Sequence, residues 1–179
     1  TFWLSTSSYY FRFTSGKSGY YDALAQGYNS LYEEEQLNKF RALAKAVRFR
    51  GHVLDVGAGT CLVARELHQK KHLSCVSVDS SKKMLEQGIG ERHLAKAEQL
   101  PFSDHAFDVV VSLTALHHCD LKKALLEIKR VAKPQATIAL SFLQQSPKLS
   151  QFRTLFYQTF SHCRALDIGK DILFISQTC

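Results

Sequence analysis

Hydrophobic positions along the chain switch repeatedly between two spacings. Some segments are short and almost continuously apolar, as buried strands are, whereas others repeat an apolar residue every three or four positions, as helices do. Strands are predicted at residues 52–56, 73–78, 93–97, 107–112, 136–142, 162–167 and 171–176. Helices are predicted at residues 20–47, 62–70, 121–132 and 149–160, with a shorter one around Met84 and Leu85. This alternation indicates an α/β fold with a mostly parallel sheet.

The last two predicted strands are joined differently. Only Ile168, Gly169 and Lys170 separate them, and a link this short joins antiparallel neighbours. The prediction is therefore a single seven-stranded, mostly parallel sheet with a reversed last strand and helices on both faces. Residues 20–179 are expected to form this one domain. Residues 1–19 are expected to be a disordered or artificially added leader.

Composition narrows the function only slightly. The net charge of +7 and the pI near 9.2 would attract RNA, but many proteins without nucleic-acid partners are equally basic. The five cysteines contain no C-x-x-C pair, which argues against a zinc ribbon and for a reducing, cytoplasmic compartment. No apolar run approaches the roughly 20 residues that span a bilayer, so no membrane segment is predicted.

The strongest chemical signal is the segment VLDVGAGT at residues 53–60. A predicted strand runs into a turn whose glycines, Gly57 and Gly59, let a ligand approach the backbone closely. Asp79 ends the next strand, where a carboxylate can accept hydrogen bonds from both ribose hydroxyls. The competing interpretation is a plain tight turn with a helix-capping aspartate. A dinucleotide-binding loop would carry a third glycine where Leu62 stands, so S-adenosylmethionine is favoured over NAD.

The motifs VLDVGAGT, SVDSSKKML, AEQLPFSDHAFDVVVSLTALHH and LLEIKRVAKP follow one another in this order. Together they resemble the class I S-adenosylmethionine-dependent methyltransferases. Within that superfamily they are most similar to the methyltransferase domain 11 branch, which includes menaquinone and ubiquinone biosynthesis enzymes. The resemblance covers roughly residues 20–142 and implies a Rossmann-like fold. It says almost nothing about the substrate.

The resemblance implies a role for each matching position. Asp55, Gly57, Ala58 and Gly59 would hold the amino-acid end of the cofactor, and Asp79 its ribose. The adenine would lie among Ser80, Met84, Ala97 and Glu98. Leu113 and Thr114 would line the cleft below the sulfonium, followed by residues 116–118. Tyr21 and Tyr28 match aromatic positions of a helix that closes over the cofactor, where their ring faces favour a cation.

Three positions depart from the family pattern. Cys61 replaces the usual last glycine of the loop, although the first two glycines remain. Lys96 stands where an aspartate commonly contacts the adenine amino group, a contact that Glu98 can take over. Gln135 and Ala136 replace the usual Gly-Gly turn before the fifth strand, which would stiffen that loop.

His117 and His118 are the candidate catalytic residues. A histidine at the cleft can deprotonate a nucleophile, and the alternative is that the pair only shapes the pocket. Cys119 follows them, but adjacent histidines seldom point at one ion and no second ligand cluster has zinc spacing, so no metal is predicted.

Three functions remain in competition. The first is methyl transfer, to tRNA or a translation-associated protein together with a small activator subunit, or else to a small molecule such as a quinone precursor. The segment Tyr28–Gln36 resembles archaeal members of this branch, and some related enzymes need a zinc-binding activator that covers an apolar sheet edge. The second is a non-catalytic cofactor-binding partner subunit, suggested by Cys61 and Lys96. The third, a nicotinamide-dependent oxidoreductase, is disfavoured by Leu62.

Overall fold

The computed structural model describes residues 33–177, and within them seven strands and five α-helices form one α/β unit. Helix α1 covers residues 33–46 of the described part. The strands are β1 (Val53–Val56), β2 (Cys75–Asp79), β3 (Arg92–Leu94), β4 (Phe107–Leu113), β5 (Ala132–Leu143), β6 (Arg164–Asp167) and β7 (Asp171–Gln177). The remaining helices are α2 (Leu62–Lys71), α3 (Lys82–Glu86), α4 (Leu121–Val131) and α5 (Leu149–Thr159), with a 3₁₀ turn at Leu116–His118.

The strands form a single sheet in the order β3-β2-β1-β4-β5-β7-β6. Strands β1 to β5 pair in parallel, whereas β7 runs antiparallel to both β5 and β6. The seven strands, the single reversed strand and the terminal hairpin expected from the sequence are all confirmed. The order in which strands are added to the sheet reverses at β1, with β2 on one side and β4 on the other, and the crevice at such a switch point is where open α/β sheets bind ligands.

Two apolar clusters hold helices on the two faces of the sheet. On one face α1 and α2 pack over the central strands through residues such as Leu43, Val47 and Leu67. On the other face α4 and α5 pack through an aromatic group that includes Phe142, Phe152 and Phe156. Rings of Phe142 and Phe152 stack with centroids 4.3 Å apart. The prediction of helices on both faces is therefore confirmed.

Strand β5 begins earlier than the sequence pattern predicts. Helix α4 ends at Val131, and Ala132, which was expected to lie in that helix, already pairs with Phe107. The pairing then shifts, because Thr137 is the next partner, opposite Val109. Pro134 lies in the intervening bulge, where its missing N–H does not interrupt the regular ladder. The proline therefore marks a bulge in a strand and not the end of a helix.

Several expectations lie outside the described residues. These are the leader at residues 1–19, the start of the N-terminal helix with Tyr21 and Tyr28, and the last cysteine, Cys179. Within residues 33–177 no helix is both long and apolar enough to cross a membrane.

Candidate functional site

The glycine loop lies between β1 and α2, at the carboxyl edge of the sheet. Gly57 and Gly59 have φ angles of +74° and +54°, which L-residues with a side chain seldom adopt. The amides of Gly57 and Ala58 both donate to the carbonyl oxygen of Val78 in β2, at 2.7 and 2.9 Å. These bonds fix the loop against the neighbouring strand. They also engage N–H groups that a pyrophosphate-binding loop would turn towards its ligand.

Asp79 ties the same loop to the end of β2. One carboxylate oxygen accepts a hydrogen bond from the amide of Gly59 and the other from the amide of Ser81, each at 2.8 Å. These bonds give Asp79 a definite structural role, which is to organise the glycine loop and the start of the next helix. A carboxylate has about four acceptor positions, so such a role does not by itself conflict with the expected binding of a ribose.

Asp55 lies near the end of β1, just before the glycine loop, and its side chain is almost completely buried. Burial, together with the negative charge of Asp79, raises its pKa to about 8. The carboxyl group is consequently ready to ionise when a cation arrives. A ligand with an ammonium or sulfonium group fits this pair of acidic residues better than a phosphate does.

The side expected to hold adenine is formed by α3 and the loop after β3. Ser81 is the N-cap of α3 and accepts from the amide of Met84, whereas Ser80 is exposed. The terminal methyl of Met84 lies 3.2 Å from where a Cβ on Gly59 would stand. Ala97 is buried, and Lys96 beside it is exposed. Glu98 is partly engaged, because it accepts from the amide of Asp120 at 2.9 Å.

The opposite wall begins at the end of β4. Leu113 lines an open cleft beside the glycine loop, and Thr114 follows it with a left-handed φ of +57°. Glu33 and Gln36 of α1 line the same cleft, with Leu62 and Val63 at the start of α2. Sequence reasoning missed these four residues. The α2 pair could have been found, because the first turn after the glycine loop must face the loop's ligand.

The two histidines lie in the 3₁₀ turn after Thr114, and their environments differ. His117 packs its ring against Phe142 with centroids 4.0 Å apart, and neither ring nitrogen has a hydrogen-bond partner in the described part of the chain. Burial lowers the pKa of His117 to about 4, assisted by the nearby charge of His118. His118 is exposed as a residue, although part of its ring is covered. This partial burial and, after it, the charge of Lys148 lower the pKa of His118, but by less than the pKa of His117 is lowered. His118 is thus the better placed of the two to exchange a proton.

The described residues contain no group of three or more His, Cys, Asp or Glu side chains that could hold a metal ion. The rings of His117 and His118 are 6.4 Å apart and tilted by 68°.

The structure thus brings the glycine loop, two carboxylates and the β4 end together at the carboxyl edge. Residues 54–140 of the chain match the family described as "Methyltransferase domain". This match agrees with the family that the four motifs resemble, and the Rossmann-like fold expected from the sequence is confirmed.

Two curated relatives share part of their sequence with this chain. It is 34% identical over 128 residues to an uncharacterised protein of Methanocaldococcus jannaschii, covering 70% of the chain and 51% of that relative. It is 28% identical over 169 residues to the ubiquinone/menaquinone biosynthesis C-methyltransferase of Rickettsia bellii, covering 84% of the chain and 64% of the relative. The chain spans about half to two-thirds of the length of these curated relatives.

A solved structure shares the fold over almost its whole length. It contains a methyltransferase bound to the Haloferax volcanii Trm112 methyltransferase activator. That chain superposes on the methyltransferase domain with a TM-score of 0.75, covering 88% of this chain and 97% of the other. Sequence identity is 19%, so this likeness concerns the fold.

Proposed function

We propose that the domain transfers the methyl group of S-adenosylmethionine to an acceptor that enters at the carboxyl edge of the sheet. The observation that carries this proposal is the loop Gly57–Gly59, held against β2 by Val78 and Asp79 and facing the buried Asp55. This arrangement suits a ligand with a cationic amino-acid end and a ribose. It suits a dinucleotide poorly, because the loop amides are already bonded within the protein.

The proposed cofactor contacts follow the order of the elements. Asp55 and residues 57–59 hold the amino-acid end, and Asp79 holds the ribose. Ser80, Met84, Ala97 and Glu98 surround the adenine. Leu113 and Thr114 bound the reacting end. Tyr21 and Tyr28, which lie outside the described residues, are proposed as further cofactor contacts.

When bound, the cofactor supplies a methyl carbon on a positively charged sulfur that is already a good leaving group. The protein's main task is then to hold the acceptor atom in line with that carbon, which is catalysis by proximity and orientation. The acceptor must also lose a proton in most methyl transfers. His118 is proposed to accept that proton, whereas His117, held neutral and packed on Phe142, shapes the acceptor side of the cleft.

The decisive experiment is calorimetric titration with S-adenosylhomocysteine and, separately, with NAD. Binding of the first and not of the second supports the proposal. Asp79→Asn should weaken binding by about 1–3 kcal/mol, because the ribose loses a charged acceptor. Asp167→Asn, at the far end of the sheet, is the matched control and should bind as the wild type does. Absence of S-adenosylhomocysteine binding would contradict the proposal.

For the acceptor, we propose tRNA or a translation-associated protein. The net charge of +7 favours a polyanionic partner, and the solved methyltransferase of similar fold is bound to an activator. The rival is a small apolar acceptor, which the similarity to the quinone-biosynthesis enzyme favours. Transfer of a radioactive methyl group in the presence of bulk tRNA, a ribosome-free protein extract or a quinone precursor separates these possibilities.

An activator subunit is proposed to bind at the β3 edge of the sheet. Within residues 33–177 this strand has three residues and pairs on one side only, and two apolar residues near it are exposed, Leu94 by 58% and Ile89 by 45%. Exposed apolar surface at an unpaired strand edge favours pairing with another chain. Leu94→Glu should therefore prevent co-purification with an activator. Leu166→Glu on the opposite edge strand, β6, is the control, and equal effects of the two changes would contradict this location.

A further inference from the structure

Lys39 is a charged residue in the interior of the domain. It lies on α1 and is only 3% exposed, in the same helical stripe as the buried Leu43 and Val47. Its ammonium group lies 3.1 Å from a carboxylate oxygen of Asp171 and 3.1 Å from one of Glu35. A buried ammonium group is tolerated only where such partners replace its lost hydration.

Asp171 completes a polar chain beneath the end of β4. It is the first residue of β7 and is fully buried. One of its oxygens accepts from the hydroxyls of Thr114 and Ser141, and Ser141 lies 2.8 Å away. Lys39 in turn donates to the Thr114 hydroxyl at 2.9 Å, and the amide of Thr114 donates to the Ser141 hydroxyl at 2.9 Å. The cluster thus joins α1, β5 and β7 to a single residue at the end of β4.

That single residue controls the geometry of the cleft. Thr114 has a φ of +57°, a conformation that a β-branched residue adopts only when its surroundings impose it. Leu113, just before it, lines the cofactor cleft, and the 3₁₀ turn with the two histidines follows it. Glu33 and Gln36, one to two turns before Lys39 on α1, line the cleft from the other side.

We propose that Lys39 is a positioning residue for methyl transfer, whose buried ion pair with Asp171 fastens α1 and the β4 turn together as the two walls of the cofactor cleft. This inference rests on the proposed function. Lys39 touches neither cofactor nor acceptor in this assignment. It acts through Thr114 and through the seating of α1, so its removal loosens cofactor retention.

The test separates cofactor retention from stability. Lys39→Met leaves the buried Asp171 carboxylate without its cation, and Asp171→Asn leaves the buried Lys39 with Glu35 as its remaining carboxylate partner, so each should lower the urea midpoint of unfolding. The double variant removes both charges and should recover most of that loss, as buried ion pairs replaced together often do. Release of S-adenosylhomocysteine, measured by stopped flow, should nevertheless remain roughly tenfold faster in all three variants, a usual scale of coupling between neighbouring sites. Lys170→Met, which removes an exposed ion pair to Glu35 on the same helix, is the control and should release ligand at the wild-type rate.

Each outcome decides the matter. Restoration of both stability and slow release in the double variant would make the ion pair purely structural and overturn the inference. If Lys170→Met accelerated ligand release equally, the inference would also be overturned, because any loosening of α1 would then be enough to speed release. Wild-type protein that fails to bind S-adenosylhomocysteine contradicts the proposed function and this inference together. Wild-type binding with unchanged release in the Lys39 variants contradicts this inference alone.

Discussion

Asp55 is the residue whose charge state is most sensitive to its surroundings. It is wholly enclosed at the end of β1, and burial together with the charge of Asp79 brings its pKa to about 8. The carboxyl group of the free domain is therefore mostly protonated at neutral pH. A cationic ligand stabilises the carboxylate, so binding and proton release are coupled.

The pH dependence of binding follows directly. Below about pH 8, the domain must give up a proton to bind the ammonium end of S-adenosylhomocysteine with an ionised Asp55. Affinity should therefore rise with pH, by up to tenfold per unit, and level off near that pKa. Calorimetry in two buffers of different ionisation enthalpy would reveal the released proton. Asp55→Asn should remove both effects, and a wild-type affinity that does not change with pH would show that Asp55 stays protonated in the complex.

Two residues occupy left-handed conformations where the family has glycine. Cys61 has a φ of +60° and Gln135 one of +63°. Side chains in this region cost roughly 1–2 kcal/mol per residue. The two side chains differ in how much packing offsets this strain. The Cys61 side chain is buried against Gly88, since a Cβ added to Gly88 would stand 2.3 Å from the Cys61 sulfur, whereas the Gln135 side chain is exposed.

Gln135→Gly should consequently stabilise the domain, by about 0.5–1 kcal/mol after the extra entropy of a glycine in the unfolded chain is counted. Cys61→Gly should gain less or lose, since it also empties buried space. Urea unfolding measures both. Gln151→Gly is the control, because Gln151 lies in α5, where glycine should cost about 1 kcal/mol. A destabilising Gln135→Gly would mean that the left-handed conformation carries no strain.

Lys39 shows what a residue pattern can and cannot reveal. Its four-residue spacing to Leu43 and Val47 marks a core position, so a lysine there signals a buried cation. Its partner Asp171 lies 132 positions away in sequence, on a strand whose neighbours are fixed only by the sheet order. Pairing across such a distance depends on topology, and the sequence carries no local trace of it.

At the scale of elements, the loop between β1 and α2 packs more tightly than its motif alone implies. A Cβ on Gly57 would stand 2.1 Å from the Cβ of Ala115, just beyond the end of β4. The close contact between the glycine loop and Ala115 therefore requires a glycine at position 57 whether or not a ligand binds. Substitution here disturbs the fold of the site as well as the approach of a cofactor.

Gly57→Ala should accordingly destabilise the domain by more than backbone strain alone. Gly169→Ala is the matched control, because Gly169 also has a positive φ, +95°, but an added Cβ would meet nothing within 4 Å. We expect the Gly169 variant to lose about 1–2 kcal/mol and the Gly57 variant distinctly more. Urea unfolding followed by circular dichroism gives both values. Equal losses would show that Ala115 yields without cost.

The helices and strands themselves were largely predictable from the sequence, because periodicity reports which side of each element is buried. Predicted and observed bounds of β1, α2, β4 and α5 differ by one residue at most. The start of β5 was not predicted from the sequence. Pro134 indicates that a helix has ended, but it does so equally when a loop follows and when a bulged strand follows. For the candidate site, a motif pointed to Asp55, the glycines and Asp79, whereas nothing in the sequence pattern pointed to the residues that α1 contributes to the cleft.

At the scale of the whole molecule, the direction of each helix decides which charges lie near the cleft. In a parallel sheet, helices begin at the carboxyl edge and run back towards the amino edge. The first turn of α4, with Lys122 and Lys123, therefore lies at the edge that carries the histidine turn. The last turn of α2, with Lys70 and Lys71, lies at the opposite edge.

This geometry gives a sharp prediction for tRNA. If the acceptor is an RNA, Lys122 and Lys123 contact its phosphates, because they flank the proposed acceptor entrance and both are exposed. Each phosphate contact contributes about 0.7–0.9 to the slope of log affinity against log salt concentration. Replacing both lysines with glutamine should then weaken tRNA binding and reduce that slope by roughly 1.4–1.8. Replacing Lys70 and Lys71 in the same way should leave both the tRNA affinity and the slope nearly unchanged.

Filter binding of bulk tRNA over a series of salt concentrations measures the slopes. Equal effects of the two pairs would indicate non-specific attraction by the basic surface, and binding that is absent or insensitive to salt would favour a small-molecule acceptor.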